Sequence, residues 1–242
     1  RTSDNFSNKN YLIFTQKESS TIRCIKEDSK HNLWIGTSIG LFYLDESRTR
    51  SIKYSYNGKN SGLSNNQINS IVIDQYDNLY IGTEKGVNYF DHTKNKFSLI
   101  SYGNLKPESI GVNALLLDKE GYLWIGKSDG IDIYYPPTKE FRQYYNNPEN
   151  MYSLSNNFIN NIFEDREGTI WISTFFNGIS KYTNKPSNIT SYELRIPGTE
   201  KKFKNINRTL QIDEATILAG GSLGLFKINL KNGHIEPITN NY

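Results

Sequence analysis

Leu33-Trp34-Ile35-Gly36-Thr37-Ser38-Ile39-Gly40-Leu41 sets out a short apolar strand, a tight turn and the start of a second strand. The pattern recurs as Leu79-Tyr80-Ile81-Gly82-Thr83-Glu84-Lys85-Gly86-Val87 and as Leu123-Trp124-Ile125-Gly126-Lys127-Ser128-Asp129-Gly130-Ile131. A fourth copy is Ile170-Trp171-Ile172-Ser173-Thr174-Phe175-Phe176-Asn177-Gly178-Ile179, and a fifth is Ile217-Leu218-Ala219-Gly220-Gly221-Ser222-Leu223-Gly224-Leu225. With anchors at 34, 80, 124, 171 and 218, the spacings are 46, 44, 47 and 47 residues. A fixed period of this size dictates the architecture, because each repeat is one unit that cannot bury its apolar surface alone.

Each period holds four strand-like runs. In the second, Ile68–Ile73, Leu79–Thr83, Val87–Asp91 and Lys96–Ile100 are rich in β-branched and aromatic residues, and turn residues separate them. The same series recurs as Val112–Leu117, Leu123–Lys127, Ile131–Tyr135 and Glu140–Tyr145, and then as Ile159–Glu164, Ile170–Thr174, Ile179–Tyr182 and Ile189–Glu193. No long segment shows a helical period. The first turns, Asp118-Lys119-Glu120-Gly121 and Asp165-Arg166-Glu167-Gly168, suit a type I turn closed by a left-handed residue. They lack the alternating oxygen ligands and closing Glu of a calcium loop.

Four-stranded antiparallel units of this length are the blades of an all-β propeller. Trp34, Tyr80, Trp124 and Trp171 are the expected structural anchors between blades. Gly36, Gly82, Gly126, Ser173 and Gly220 keep the same face low enough for the next sheet to approach. The expected partition is a lead-in with a surplus outer strand over 1–20, then blades over 21–66, 67–110, 111–157, 158–204 and 205–242, in one propeller domain or arc.

The string Asp-x-x-Gly-x-Leu-Trp-Ile-Gly-Thr-x-x-Gly-Leu, with Ser153-Leu154-Ser155-Asn156-Asn157 and Gly62-Leu63-Ser64-Asn65-Asn66 before two of its copies, resembles the two-component regulator propeller repeat. The likeness runs from residue 20 to about 230, with the fifth copy degraded at Leu218 and at the shortened turn Asp213-Glu214-Ala215-Thr216. The resemblance implies the periplasmic sensor half of a hybrid two-component system of Bacteroidetes, on an inner-membrane protein. That family typically has seven-bladed rings, membrane and kinase parts downstream, a homodimeric parent, and an oligosaccharide signal that induces polysaccharide-utilisation genes. Any kinase would lie outside this chain, which is expected not to be an enzyme itself.

The run Tyr11–Thr15 resembles a surplus fourth strand, although the fifth repeat already ends in its own, His234–Ile238. The simplest expectation is a slice of a seven-bladed ring, which at this spacing needs about 320 residues. A closed five-bladed ring with a spare edge strand is the alternative. The chain starts at Arg1 without a signal-peptide pattern, as a trimmed or mature piece would.

Composition narrows the function further. A net charge of +3 without a basic tract denser than Lys201-Lys202 gives no ground for nucleic-acid binding. No apolar run is long enough to span a bilayer. The single cysteine, Cys24, excludes an internal disulfide framework and a multi-cysteine zinc site. His31, His92 and His234 sit apart in turns, so neither a metal nor a cofactor is expected. No nucleophile, His–Asp pair or phosphate loop stands at motif spacing.

Two groups are candidate ligand-binding residues. Arg23, Asn69, Asn113, Asn160 and Asn207 each follow the opening residue of a first strand, at one rim of the channel. Their amides could hold sugar hydroxyls, or they could cap their own loops by local backbone bonds. Phe175 and Phe176 enlarge the loop between strands two and three of the fourth repeat, on the same rim. One ring is expected to pack over the blade edge and the other to stay exposed for stacking. Three functions are compatible with these features: an oligosaccharide sensor, a protein-binding scaffold, and a propeller lyase or hydrolase.

Overall fold

A computed structural model of the chain describes residues 20–58, 62–101, 111–150, 152–183, 189–192, 206–221, 224–229, 231 and 234–238. The expected strand Tyr11–Thr15, the pair Lys201-Lys202 and the loop Ser222-Leu223 lie outside the described residues. Blade one is β1 (Ile22–Glu27), β2 (Leu33–Thr37), β3 (Gly40–Leu44) and β4 (Ser51–Tyr54). Blade two is β5 (Ile68–Ile73), β6 (Leu79–Thr83), β7 (Gly86–Asp91) and β8 (Lys96–Leu99). Blade three is β9 (Val112–Leu117), β10 (Leu123–Lys127), β11 (Ile131–Tyr135) and β12 (Glu140–Tyr144). Blade four is β13 (Ile159–Glu164), β14 (Ile170–Thr174), β15 (Ile179–Tyr182) and β16 (Ile189–Tyr192). Blade five is β17 (Ile206–Asp213), β18 (Thr216–Gly221), β19 (Gly224–Asn229) and β20 (Ile235–Ile238). Each blade is an antiparallel meander in chain order, and among the described residues every quoted strand falls within one residue of its expected ends.

Neighbouring blades stack through their innermost strands: β1 on β5, β5 on β9, β9 on β13 and β13 on β17. The core is therefore four inter-blade layers. Trp34 lies in the first with Ile68, Ile71, Leu79 and Phe90; Tyr80, Trp124 and Trp171 lie in the next three. The anchor glycines do what the sequence implies. A Cβ on Gly36 would stand 2.7 Å from Ile68 Cγ2, one on Gly82 2.7 Å from Val112 Cγ1, and one on Gly126 2.6 Å from Ile159 Cγ2. Gly220 meets only its own blade's Leu225, at 3.7 Å.

That contrast marks the ends of an arc rather than a closed ring. Ile68, Val112, Ile159 and Ile206 are fully buried, whereas their counterpart Ile22 is 44% exposed. At the other end Leu225 is 40% exposed, where Leu41 and Val87 are fully buried. The closed five-bladed alternative therefore fails, because two apolar blade faces lack a partner among the described residues. Cys24 on β1 stands across from the anchor glycine Gly36, at the inner edge of the first blade. Burial dominates that thiol and pushes it up to about 11, as expected of a small packed side chain.

In the three blades anchored by tryptophan, the Asp of the first turn has a second task. Asp28 Oδ1 accepts from the Lys30 and Asn32 amides, and its Oδ2 accepts from the Trp34 indole at 3.2 Å. Asp118 holds Trp124 at 2.7 Å, and Asp165 holds Trp171 at 2.9 Å. Turn and anchor, two separate parts of the sequence motif, are thus one hydrogen-bonded latch. The Leu-Ser-Asn-Asn string is equally local: Leu63 and Leu154 are buried plugs. Ser64 bonds Asn88, and Asn66 pins both backbone groups of Tyr56 on the preceding blade.

Candidate functional site: the rim of the innermost strands

Each innermost strand slips register at the same place. Ile22 pairs with Thr37 and Cys24 with Gly36, leaving Arg23 out of the ladder. Asn69, Asn113, Asn160 and Asn207 are skipped in the same way in their own blades. A bulge of this kind re-aims a side chain that the pleat would otherwise send to a blade face. The amides consequently point along the rim to the next blade. Asn69 Nδ2 donates to the Val112 carbonyl at 2.9 Å, Asn113 to Ile159 at 2.9 Å, and Asn160 to Ile206 at 2.5 Å. The backbone bonds expected of these residues are present, but they run between blades and not within one loop.

Polar capacity remains at two places on the rim. Arg23 donates to Asn69 Oδ1 and, at 3.3 Å, to Gln67 Oε1. Asn69 also donates to Glu84 at 2.8 Å. The chain from guanidinium through amide to carboxylate lies at the solvent. Further round, Asn160 reaches Asn207 Oδ1 at 3.2 Å.

The enlarged loop stands beside that second pair. The Phe175 amide donates to the Phe158 carbonyl at 2.8 Å, which fixes the loop against the start of β13. Phe175 packs between Phe158 and Phe176, with both ring centroids at 5.1 Å. Phe175 is partly covered, as expected of one member of the pair; Phe176 and Phe158 are exposed. Asn177 completes the turn in the left-handed region, φ 70°, and its Nδ2 donates to the Ser155 carbonyl.

Phe158 was not legible as part of the site, because the Leu-Ser-Asn-Asn string precedes it as a structural signal; only its column, with Gln67 and Gly111 as counterparts, marks it as unusual. Lys127 was also missed. It replaces the Thr of other blades, Thr37 and Thr83, each of which closes its turn through a glycine carbonyl. The Lys127 ammonium is buried and lies 3.0 Å from Asp132 and 3.1 Å from Asp129, and Gln143 donates to Asp132 at 2.9 Å. The two carboxylates offset the desolvation penalty that a buried ammonium would otherwise carry. Among the described residues no cluster of His, Cys, Asp and Glu could hold a metal ion.

Residues 17–38, 62–85 and 153–176 match the profile of the two component regulator propeller family. Three of the five blades therefore carry a stretch similar to that family's repeat. No curated protein matches the sequence. The extracellular domain of a hybrid two-component system of B. thetaiotaomicron superposes with a TM-score of 0.75 at 22% identity, covering 93% of this chain and 28% of that one. The extracellular domain of a second such system of B. thetaiotaomicron gives 0.73 at 19% identity, over 95% of this chain and 31% of the other. Virginiamycin B lyase from Staphylococcus aureus gives 0.64 at 12% identity, over 90% and 69%. At these identities the likeness is one of fold, and the chain spans less than a third of the length of the two sensor domains.

Proposed function

We propose that this chain is a ligand-sensing segment of the extracytoplasmic domain of a membrane-bound hybrid two-component regulator. Its signal is an oligosaccharide, and the parent protein, a homodimer on the inner membrane facing the periplasm, controls polysaccharide-utilisation genes. The reading is supported by the repeats and by the extracellular domains of B. thetaiotaomicron whose fold it shares. The same comparisons motivate placing it in a larger ring, since both end faces are uncovered.

One observation carries the ligand assignment: Phe176 and Phe158 are exposed rings braced by Phe175, next to the Asn160–Asn207 pair. Braced aromatic faces accept the C–H face of a pyranose, and neighbouring amides accept and donate to its hydroxyls. Arg23, Asn69 and Asn113 lie on the same rim and supply the remaining polar contacts. Calorimetry of the 242-residue chain and its parent ectodomain against plant, host and microbial glycans tests the reading. Binding without turnover, weakened at least about tenfold by Phe176→Ala, is the expected result. Binding of a peptide or protein and of no glycan would refute the sugar signal.

A further inference from the structure

The Leu-Ser-Asn-Asn string of blade four crosses the rim end of its own sheet, from the outermost strand to the innermost. Ser153 lies over β16, where its carbonyl receives from the Ser191 hydroxyl at 2.8 Å. Ser155 lies over β14 and β15: its amide donates to Ser180 Oγ at 3.0 Å, and its own Oγ stands 3.4 Å from Thr174 Oγ1. Phe158 stands immediately before β13. The string therefore spans three inter-strand steps, about 14 Å. An exposed ring marks each stage. Tyr152, next to Ser153, is 54% exposed, Phe176 47% and Phe158 38%. Phe176 is tied to the middle of the string, because the neighbouring Asn177 donates to the Ser155 carbonyl at 3.3 Å.

Blade two shows that the scaffold does not demand these rings. It carries the same string, with Ser64 bonded to Thr83 and Asn88 as Ser155 is to Thr174 and Ser180. Yet Ser61 and Gln67 stand there in the columns of Tyr152 and Phe158, and Glu84-Lys85 takes the place of Phe175-Phe176-Asn177. In blade four each ring sits on a fixed base. The Ser153 hydroxyl donates to the Asn147 carbonyl at 2.8 Å and accepts from the Asn147 amide at 2.9 Å, and the Tyr152 amide donates to Asn150 at 3.0 Å. Thr174 Oγ1 stands 3.0 Å from the Phe176 carbonyl and 3.1 Å from that of Gly178. Rings held in this way lose little freedom when something docks on them. Among the described residues, amide capacity remains between them. Asn156 and Asn157 each use only Oδ1, on the Phe158 and Asn146 amides, and Asn177 uses only Nδ2. Two donors and one acceptor are left beside exposed rings, a set that suits the hydroxyls and C–H faces of linked sugars.

We propose that the rim end of blade four is a track for a linear oligosaccharide, which runs outward from the Asn160–Asn207 pair past Phe158 and Phe176 to a further sugar ring on Tyr152. The length of the chain, and not one terminal sugar, is then what this segment recognises. The assignment rests on the oligosaccharide reading above and adds to it Tyr152, an outer contact that a short glycan at the inner rim does not reach.

Calorimetry of the 242-residue chain with cello-, xylo-, manno- and galacto-oligosaccharides, each from the disaccharide to the hexasaccharide, tests the track. In the series that binds, the hexasaccharide should bind at least about tenfold more tightly than the disaccharide. Tyr152→Ala should abolish that gain and leave the disaccharide unchanged, whereas Phe176→Ala should weaken every length. Tyr152→Phe, which keeps the ring, should keep the gain. Tyr76→Ala is the control: its ring is exposed too, but it lies in the first turn of blade two, at the other end of the blades, and its loss should change nothing. A hexasaccharide bound no more tightly than the disaccharide, or a gain retained in Tyr152→Ala, would overturn the proposal; with Phe176→Ala still weakened, the rim reading stands without it. Affinities untouched by Phe176→Ala, or no binding in any series, remove both.

Discussion

Asp165 accepts from the Glu167 and Thr169 amides with one oxygen and from the Trp171 indole with the other, so its loss strands three donors at once. Asp165→Ala is expected to cost about 2–4 kcal/mol in denaturant unfolding. Asp74→Ala should cost less, because its three donors lie in its own partly exposed turn and none is a buried indole N–H. Another turn residue, Asp77, ties two blades together by accepting from the Ser29 amide at 2.9 Å and from its hydroxyl. Those bonds hold its carboxyl below the usual range. A carboxyl lowered by folding stabilises above its unfolded value, about 3.9, and ceases to do so as the pH falls through its folded value. The melting-temperature gap between wild type and Asp77→Asn should therefore be widest at neutral pH and should close below about pH 4. Asparagine tolerates the left-handed backbone at this position, φ 62°, so the comparison isolates the charge.

At the scale of the blade, the anchor glycines give paired outcomes. Gly126→Ala places a methyl against Ile159 and should destabilise by about 1–3 kcal/mol, while Gly220→Ala, with nothing beyond its own blade, should change stability by less than about 0.5 kcal/mol. Thermal or denaturant melts of the two variants check this. The strands, anchors and spacing glycines were legible because each imposes a residue type at a fixed period. The bulges were not. A bulge is a slip between two strands, and the spacing of Asn69 from Asn113 is the same whether the amide lies in the ladder or outside it. Phe175 and Phe176 were visible as an insertion, but the brace from Phe158 required knowing that its carbonyl faces the loop. What stands across the strand from each anchor is likewise visible only once register places Tyr43, Tyr89, Ile133 and Lys181 in one column.

At the scale of the whole chain, the two uncovered faces dominate behaviour in solution. Ile22 and Ile25 on β1, and Leu210 and Leu225 on blade five, present apolar surface that interior blades bury. Exposed apolar sheet faces associate. Sedimentation velocity should show self-association that rises with concentration, and the double variant Ile25→Lys, Leu210→Lys should suppress it. A chain that stays monomeric at every concentration would show that these faces are not adhesive.

The forward-pointing amide has one more consequence. Blades two, three and four each donate from a bulged asparagine to the opening carbonyl of the blade after, so blades three and four carry both halves of the joint. Duplication of one blade-length stretch of gene would insert a unit that fits its neighbours at once, without compensating changes elsewhere. The joint specifies order and direction but not number. How many blades such proteins have can therefore drift in evolution while the seams between them stay the same.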